Sequence, residues 1–237
     1  MCHEAAGTIA RLHGGPGTFD DVVGGLQQPT YALPLGDGVP SSLEGEADRL
    51  LETLSREGVH EFDLLGYSLG GRLAMHMALK APDRVHRLVL ESAHPGLEEA
   101  SERTARLDHD EQWAERLVDE WPDVLRAWYA QTVFASVAGT PLLKAMIREK
   151  ETHHPGVLAR ELKAWSLGLQ KPKWSYLAHR MHPTLFISGE MDGRYQALGE
   201  RLVALSGPIR HVSIRGAGHV VHREQPESYL AALRSFL

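Results

Sequence analysis

The chain predicts an α/β protein: a mainly parallel sheet with helices on both faces, interrupted once by an inserted helical lid. Short apolar runs bounded by glycine or proline alternate with helical stretches over the first 95 residues, the pattern of parallel strands joined by crossover helices. The alternation stops at Gly96, gives way to charged, tryptophan-rich helical sequence, and resumes at Pro183. Gly66-Tyr67-Ser68-Leu69-Gly70-Gly71-Arg72 follows apolar Phe62 to Leu65 and opens the helical stretch Leu69 to Lys80, so it reads as strand, sharp turn, helix. The expected division is a core of residues 1–95 and 179–237 with a lid of residues 96–178.

In chain order, Thr8 to Leu12 is a short strand running into the glycine-rich His13-Gly14-Gly15-Pro16-Gly17. Such a loop suits close approach of backbone to a ligand, either a phosphate or an oxyanion. The Walker lysine and the GxGxxG spacing are both missing, which weakens the phosphate reading. Thr18 to Leu26 reads as a short helix, Thr30 to Leu33 as a strand and Leu35 to Pro40 as a turn. Ser41 or Ser42 can cap a helix over 43–57, whose Leu43, Ala47, Leu50, Leu51 and Leu54 share one face, and Gly58 ends it. A strand over 61–65 leads into the turn at Ser68; Pro82 closes the following helix, and Val85 to Leu90 is the next strand. In the insertion, Trp113, Leu117, Trp121, Leu125 and Trp128 keep helical spacing, and Pro122 splits them into two helices. These aromatics are expected to pack the insertion onto the sheet and to roof the turn at Ser68. Pro183 to Ser188 is a strand, Gln196 to Leu205 a helix, His211 to Ile214 a strand, and Pro226 to Leu237 a closing helix.

Composition excludes several classes. Hydrophobic residues are 43% and charged residues 24% of 237, which argues against disorder and against coiled coil. A formal charge of −6 gives no reason to expect nucleic acid or an anionic membrane as partner. No apolar run is long enough to span a bilayer, and the start resembles no secretory signal. The single cysteine, Cys2, cannot form an internal disulfide, which fits a reducing cytoplasm.

The chemistry gathers on strand ends. Glycines two before and two after Ser68 remove Cβ atoms that would clash in a strained strand-to-helix turn, and such a turn presents the serine hydroxyl above the sheet edge. Asp192, in Gly189-Glu190-Met191-Asp192-Gly193, and His219, in Arg215-Gly216-Ala217-Gly218-His219, each follow a strand in the same way, where open α/β sheets place their ligands. The order nucleophile, acid, base is that of the α/β-hydrolase triad. His219 would take the Ser68 proton while Asp192 holds the other ring N–H; the backbone N–H groups of Leu69 and Gly15 would serve as oxyanion donors. Fourteen histidines invite a metal reading, especially His219 with His222, but that spacing needs a helix, Gly216 and Gly218 argue for a loop, and no carboxylate or cysteine cluster completes a zinc set. His76, His86, His109, His179 and His182 are read as solvated or capping residues.

The elbow, Glu91-Ser92-Ala93-His94-Pro95-Gly96-Leu97, Trp128-Tyr129 with Val133-Phe134-Ala135-Ser136, Gly189-Glu190-Met191-Asp192, and Gly218-His219 with His222-Arg223-Glu224 resemble the 2-succinyl-6-hydroxy-2,4-cyclohexadiene-1-carboxylate synthase family of the menaquinone pathway, within the α/β-hydrolase superfamily. The resemblance spans residues 13–230. It implies a lyase that eliminates pyruvate from a small polycarboxylate without metal or organic cofactor, with Ser68 as proton-abstracting base. It further implies that Arg72, Arg106 and Arg148 bind substrate carboxylates, with Tyr67 and Trp128 in the pocket. A cytoplasmic monomer or small homo-oligomer is expected. The glycine loop also resembles that of proline iminopeptidases, so a peptidase or esterase using the same triad is the enzymatic rival, and a ligand-binding scaffold without chemistry is the third reading. The first strand lies so near the start that the leading strand pair common in this fold is expected to be missing or shortened, exposing a sheet edge.

Overall fold

The computed structural model describes residues 8–13, 19–36, 42–180 and 182–237, without the side chain of Asp21. Six strands, all parallel, form one sheet: β1 (Thr8–His13), β2 (Thr30–Ala32), β3 (Phe62–Tyr67), β4 (Val85–Glu91), β5 (Thr184–Gly189) and β6 (Ile209–Ile214), in the spatial order β2-β1-β3-β4-β5-β6. The order reverses between β1 and β3, the topological switch point at which such sheets bind ligands. Register places His13 beside Tyr67, Tyr67 beside Glu91 and Glu91 beside Ile187, a single row along the C-terminal edge. Every residue of β3 and β5 is buried, as expected for parallel strands covered on both faces.

Helices α1 (Asp20–Val23), α2 (Leu43–Arg56) and α3 (Leu69–Lys80) join the first strands. The expected helix over 18–26 is one turn, and residue 18 lies outside the described residues. Ser42 caps α2, its Oγ accepting from the Gly45 N–H at 3.1 Å; the alternative cap, Ser41, is outside the described residues. The insertion contributes α4 (Ala100–Asp119), α5 (Val124–Tyr129), a 3-10 turn (Thr132–Val137), α6 (Pro141–Glu151), α7 (Pro155–Ala164) and α8 (Trp174–His179). Pro122 does separate α4 from α5, because its ring cannot continue the first helix. The chain ends through α9 (Gly193–Val203), α10 (Val221–Glu224) and α11 (Pro226–Arg234).

Two cores flank the sheet. Leu50, Leu54, Leu64, Leu73, Met77 and Phe186 lie in one, beneath α2, α3 and α9; Phe19, Leu65, Ile187, Tyr229 and Leu233 lie in the other, beneath α1 and α11. Trp165 and Trp174 join the first and Tyr129, Val137 and Met146 the second, so the insertion is packed onto both. It also has a small core of its own, where Ala114, Leu117, Val124 and Leu158 pack with Trp113 and Trp121.

One histidine expected at the surface is not there. His76 is 1% exposed, because it lies in the stretch 70–78 of α3, every residue of which is buried. Burial, then the charge of Lys173, pulls its pKa down to about 4, so it packs as a neutral ring. His86, His109 and His179 are exposed, as expected.

Candidate active site

Ser68 occupies the turn between β3 and α3 with φ 50° and ψ −111°, a conformation that costs a non-glycine residue roughly 1–3 kcal/mol and persists only where its surroundings impose it. Those surroundings are visible. The Ser68 N–H donates to the Glu91 carbonyl of β4 at 2.8 Å, and the Arg72 N–H donates to the Ser68 carbonyl at 3.0 Å. The chain passes so close to α3 that a Cβ on Gly66 would lie 2.6 Å from the Gly71 nitrogen.

His219 stands over this serine. Its Nε2 is 3.4 Å from Ser68 Oγ and its Nδ1 is 2.8 Å from Asp192 Oδ2. An ionised carboxylate can only accept, so Nδ1 carries the proton and the Nε2 lone pair faces the serine. Asp192 and His219 are both buried. Asp192 is also the N-cap of α9, its Oδ1 accepting from the Tyr195 N–H at 3.4 Å, which fixes the carboxylate orientation. The histidine loop is bracketed by Glu224, whose carboxylate accepts from the Gly218 N–H at 2.9 Å and the Val220 N–H at 3.0 Å.

Beneath the triad lies a second buried acid and histidine. His222 was expected in a loop; α10 instead turns it inward, where Glu91 takes its Nδ1–H at 2.8 and 2.9 Å and its backbone N–H at 3.1 Å. The other ring nitrogen of His222 is 2.9 Å from His13 Nε2, at the end of β1. Three site segments thereby share one network. Among the described residues no cluster of three or more metal-ligating side chains is present.

Ser68 and Leu69 open onto a cavity of about 200 Å³ roofed by the inserted helices. Arg72, Arg106 and Trp128 line it as expected. Arg72 is held from behind: its Nε donates to Gln170 Oε1 at 2.6 Å and a terminal nitrogen donates to the Trp165 carbonyl at 2.8 Å. Burial and then the charge of Arg106 lower its pKa to about 9, so it stays charged at neutral pH; among the described residues no carboxylate bonds to it directly, a state that an incoming anion relieves. Arg106 bridges to both oxygens of Asp110 at 2.8 Å, and Ser166 Oγ donates to the same carboxylate at 2.7 Å. Trp128 packs edge-on against Trp113 with centroids 5.1 Å apart.

Two expected site residues fall elsewhere, and a third lies outside the described residues. Tyr67 does not line the cavity; it is buried among His13, His219 and His222, with ring centroids 5.0, 5.6 and 5.0 Å away. Arg148 is on the exposed side of α6 and does not line the cavity either. Lys150 does, because two positions along a helix turn a side chain by about 200°. Gly15 lies outside the described residues. Sequence reasoning also missed Glu161, Tyr195 and His94 on the cavity wall, and Gln170 behind it. Only His94 stood in a motif already singled out.

A family model described as the alpha/beta hydrolase fold matches residues 47–226. The 2-succinyl-6-hydroxy-2,4-cyclohexadiene-1-carboxylate synthase of Enterobacter sp. is 36% identical over 239 residues, which cover 95% of this chain and 90% of the relative. The chain belongs to this synthase family. The synthase of Pectobacterium atrosepticum is 35% identical over 191 residues, covering 80% of this chain and 73% of that one. Among solved structures, MenH from S. aureus superposes with a TM-score of 0.90 at 22% identity, covering 99% of this chain and 94% of that one. An esterase from Thermogutta terrifontis reaches 0.78 at 20% identity, which is likeness of fold. The synthase family thus places an enzyme on the α/β-hydrolase fold here, with a roofed, cation-lined cavity above its serine. No helix among the described residues is long and apolar enough to cross a membrane.

Proposed function

We propose that this enzyme eliminates pyruvate from 2-succinyl-5-enolpyruvyl-6-hydroxy-3-cyclohexene-1-carboxylate to give 2-succinyl-6-hydroxy-2,4-cyclohexadiene-1-carboxylate, a step of menaquinone biosynthesis in the cytoplasm. The observation that carries the reading is a serine 3.4 Å from an Asp192-oriented histidine, facing a cavity whose cations are Arg72, Arg106 and Lys150. A substrate with three carboxylates needs such cations, and arginine offers planar, paired donors that keep their charge when buried.

Ser68 Oγ passes its proton to His219 Nε2 and removes the acidic ring proton of the substrate; Asp192 stabilises the imidazolium that forms. The electron pair released from that C–H bond forms one new ring double bond, the existing ring double bond shifts by one position, and the carbon–oxygen bond to the enolpyruvyl group breaks with its electron pair leaving on the oxygen. The leaving pyruvate enolate takes up the proton held on His219 and becomes pyruvate, which returns Ser68 and His219 to their starting states and closes the balance. The Leu69 N–H at the start of α3 is an oxyanion donor, with Gly15 as its expected partner. Residues 96–178 act as the lid, excluding water so that the cations act at full strength.

The test follows pyruvate release from the enolpyruvyl substrate beside chromophore release from an activated ester. Pyruvate release that is lost in Ser68→Ala supports the elimination; turnover of the ester alone makes the protein a serine hydrolase.

A further inference from the structure

His94 lies between two cavities. It ends the stretch that leaves β4, is 7% exposed, and lines both the chamber above Ser68 and a second, outer concavity of about 350 Å³ that bears Arg194 and Arg201. Its ring is fixed in one tautomer. The Gly96 N–H donates to His94 Nδ1 at 3.0 Å, so that nitrogen carries a lone pair and the ring proton sits on Nε2. Nε2 has no hydrogen-bond partner among the described residues. The backbone is pinned too: Gln170, which grips Arg72 with its oxygen, donates its Nε2–H to the His94 carbonyl at 3.1 Å. Trp174 stands edge-on to the ring with centroids 6.4 Å apart. Burial first, and then the charges of Arg194, Arg72, Arg106 and Arg201, pull the pKa down to about 3, so no second proton joins the ring near neutral pH.

Building on the elimination reading, we propose that His94 is a substrate-contacting residue whose neutral Nε2–H donates a hydrogen bond to an anionic oxygen of the departing pyruvate enolate. The donor stands on the wall of the chamber that also holds Ser68, where the enolate charge develops, while the outer concavity offsets its arginines with Glu98, paired to Arg201, and Glu102. A neutral imidazole is too weak an acid to surrender this proton, so the bond to hydrogen stays intact. The donor strengthens its hydrogen bond as charge builds on the enolate oxygen, which stabilises the transition state above the ground state.

Glutamine can place an N–H where Nε2 stands and asparagine cannot, so three variants separate the roles. His94→Gln is expected to keep kcat within about threefold, whereas His94→Asn and His94→Phe lose about tenfold or more with KM within about twofold. A His94→Phe protein with undiminished kcat, losses confined to KM, or a glutamine variant as impaired as the asparagine one would each overturn the proposal. The ring itself is read without substrate by 15N NMR of histidine-labelled protein: a neutral, Nε2-protonated His94 at pH 7 is expected, and an imidazolium or an Nδ1–H ring refutes the assignment. Because that spectrum is independent of turnover, failure of the donor and failure of the elimination reading are told apart.

Discussion

Glu91 and His222, 131 positions apart in the chain, form a buried hydrogen-bonded pair in which one carboxylate accepts both the ring and the backbone N–H of the histidine. The same Glu91 supplies, through its carbonyl, the acceptor for the Ser68 N–H. Removing the carboxylate leaves an imidazole without its partner at a site that water does not reach. Glu91→Ala is expected to lose about 1–3 kcal/mol of stability in chemical denaturation. A variant as stable as the parent would show that the pair carries no net weight.

Ser68 holds its backbone under strain, so stability and turnover should move in opposite directions there. Ser68→Gly removes the hydroxyl and lets φ 50° be adopted freely. Its pyruvate release is expected to fall by several orders of magnitude while the midpoint of thermal unfolding rises, by an amount worth about 1 kcal/mol. A lowered midpoint would mean that the hydroxyl, and not the backbone, dominates at this position.

Lys150 gives the cavity a charge that titrates within reach. Burial lowers its pKa to about 8, with Glu161 pulling the other way. Below that pH the folded protein carries the ammonium; above it the amine is neutral and a carboxylate loses a partner. KM for the polyanionic substrate should therefore rise as pH climbs through about 8, and Lys150→Arg should abolish the rise. The folded state binds fewer protons than the unfolded one between about 8 and the ordinary lysine value, so stability itself climbs with pH over that window. Arg148→Ala, on the opposite side of α6, should leave KM unchanged. A KM that stays flat from about pH 7 to 9 in the unaltered enzyme would remove Lys150 from substrate binding.

Arg72 acts as a pre-aimed fork. Because Gln170 and the Trp165 carbonyl fix two of its nitrogens, a lysine, with a single point charge, cannot reproduce the aim. Arg72→Lys is expected to lower kcat/KM by more than about tenfold, and Gln170→Ala to lower it by less, through loss of orientation alone. Steady-state kinetics decide; equal activity in Arg72→Lys would reduce the residue to a source of field.

Ser68, Asp192 and His219 could be found in the sequence because each follows a strand that announces itself by composition, and parallel strands bring their C-terminal ends to one edge whatever lies between. The same reasoning found the break at Pro122 between α4 and α5. It misjudged what depends on rotation about a helix axis. Arg148 and Lys150 sit two positions apart, and nothing in their neighbourhood of α6 tells which faces the cavity. His76 failed for a related reason: a helical stretch with every residue buried has no polar face for its histidine to occupy. Glu91 and His222 were legible only as motif members, since their contact exists because β4 and α10 meet in space. Tyr67 shows the limit of family likeness, since its place in the motif says nothing of which wall of the site it packs behind.

The point where the chain leaves the sheet is also the point to which it returns. Gly96, with φ 120°, lies against Pro172 so closely that a Cβ would sit 2.7 Å from the proline Cα, and the Lys173 N–H donates to the Pro95 carbonyl at 2.7 Å. The two stems of the intervening segment are thus tied at its neck, and the segment reaches the sheet through a few apolar side chains, Trp165 in one core and Tyr129, Val137 and Met146 in the other. Evolution can lengthen, shorten or replace that segment as one cassette, changing which molecule is enclosed while the serine, aspartate and histidine keep their places. A reaction other than hydrolysis can arise on this scaffold by exchange at a single junction.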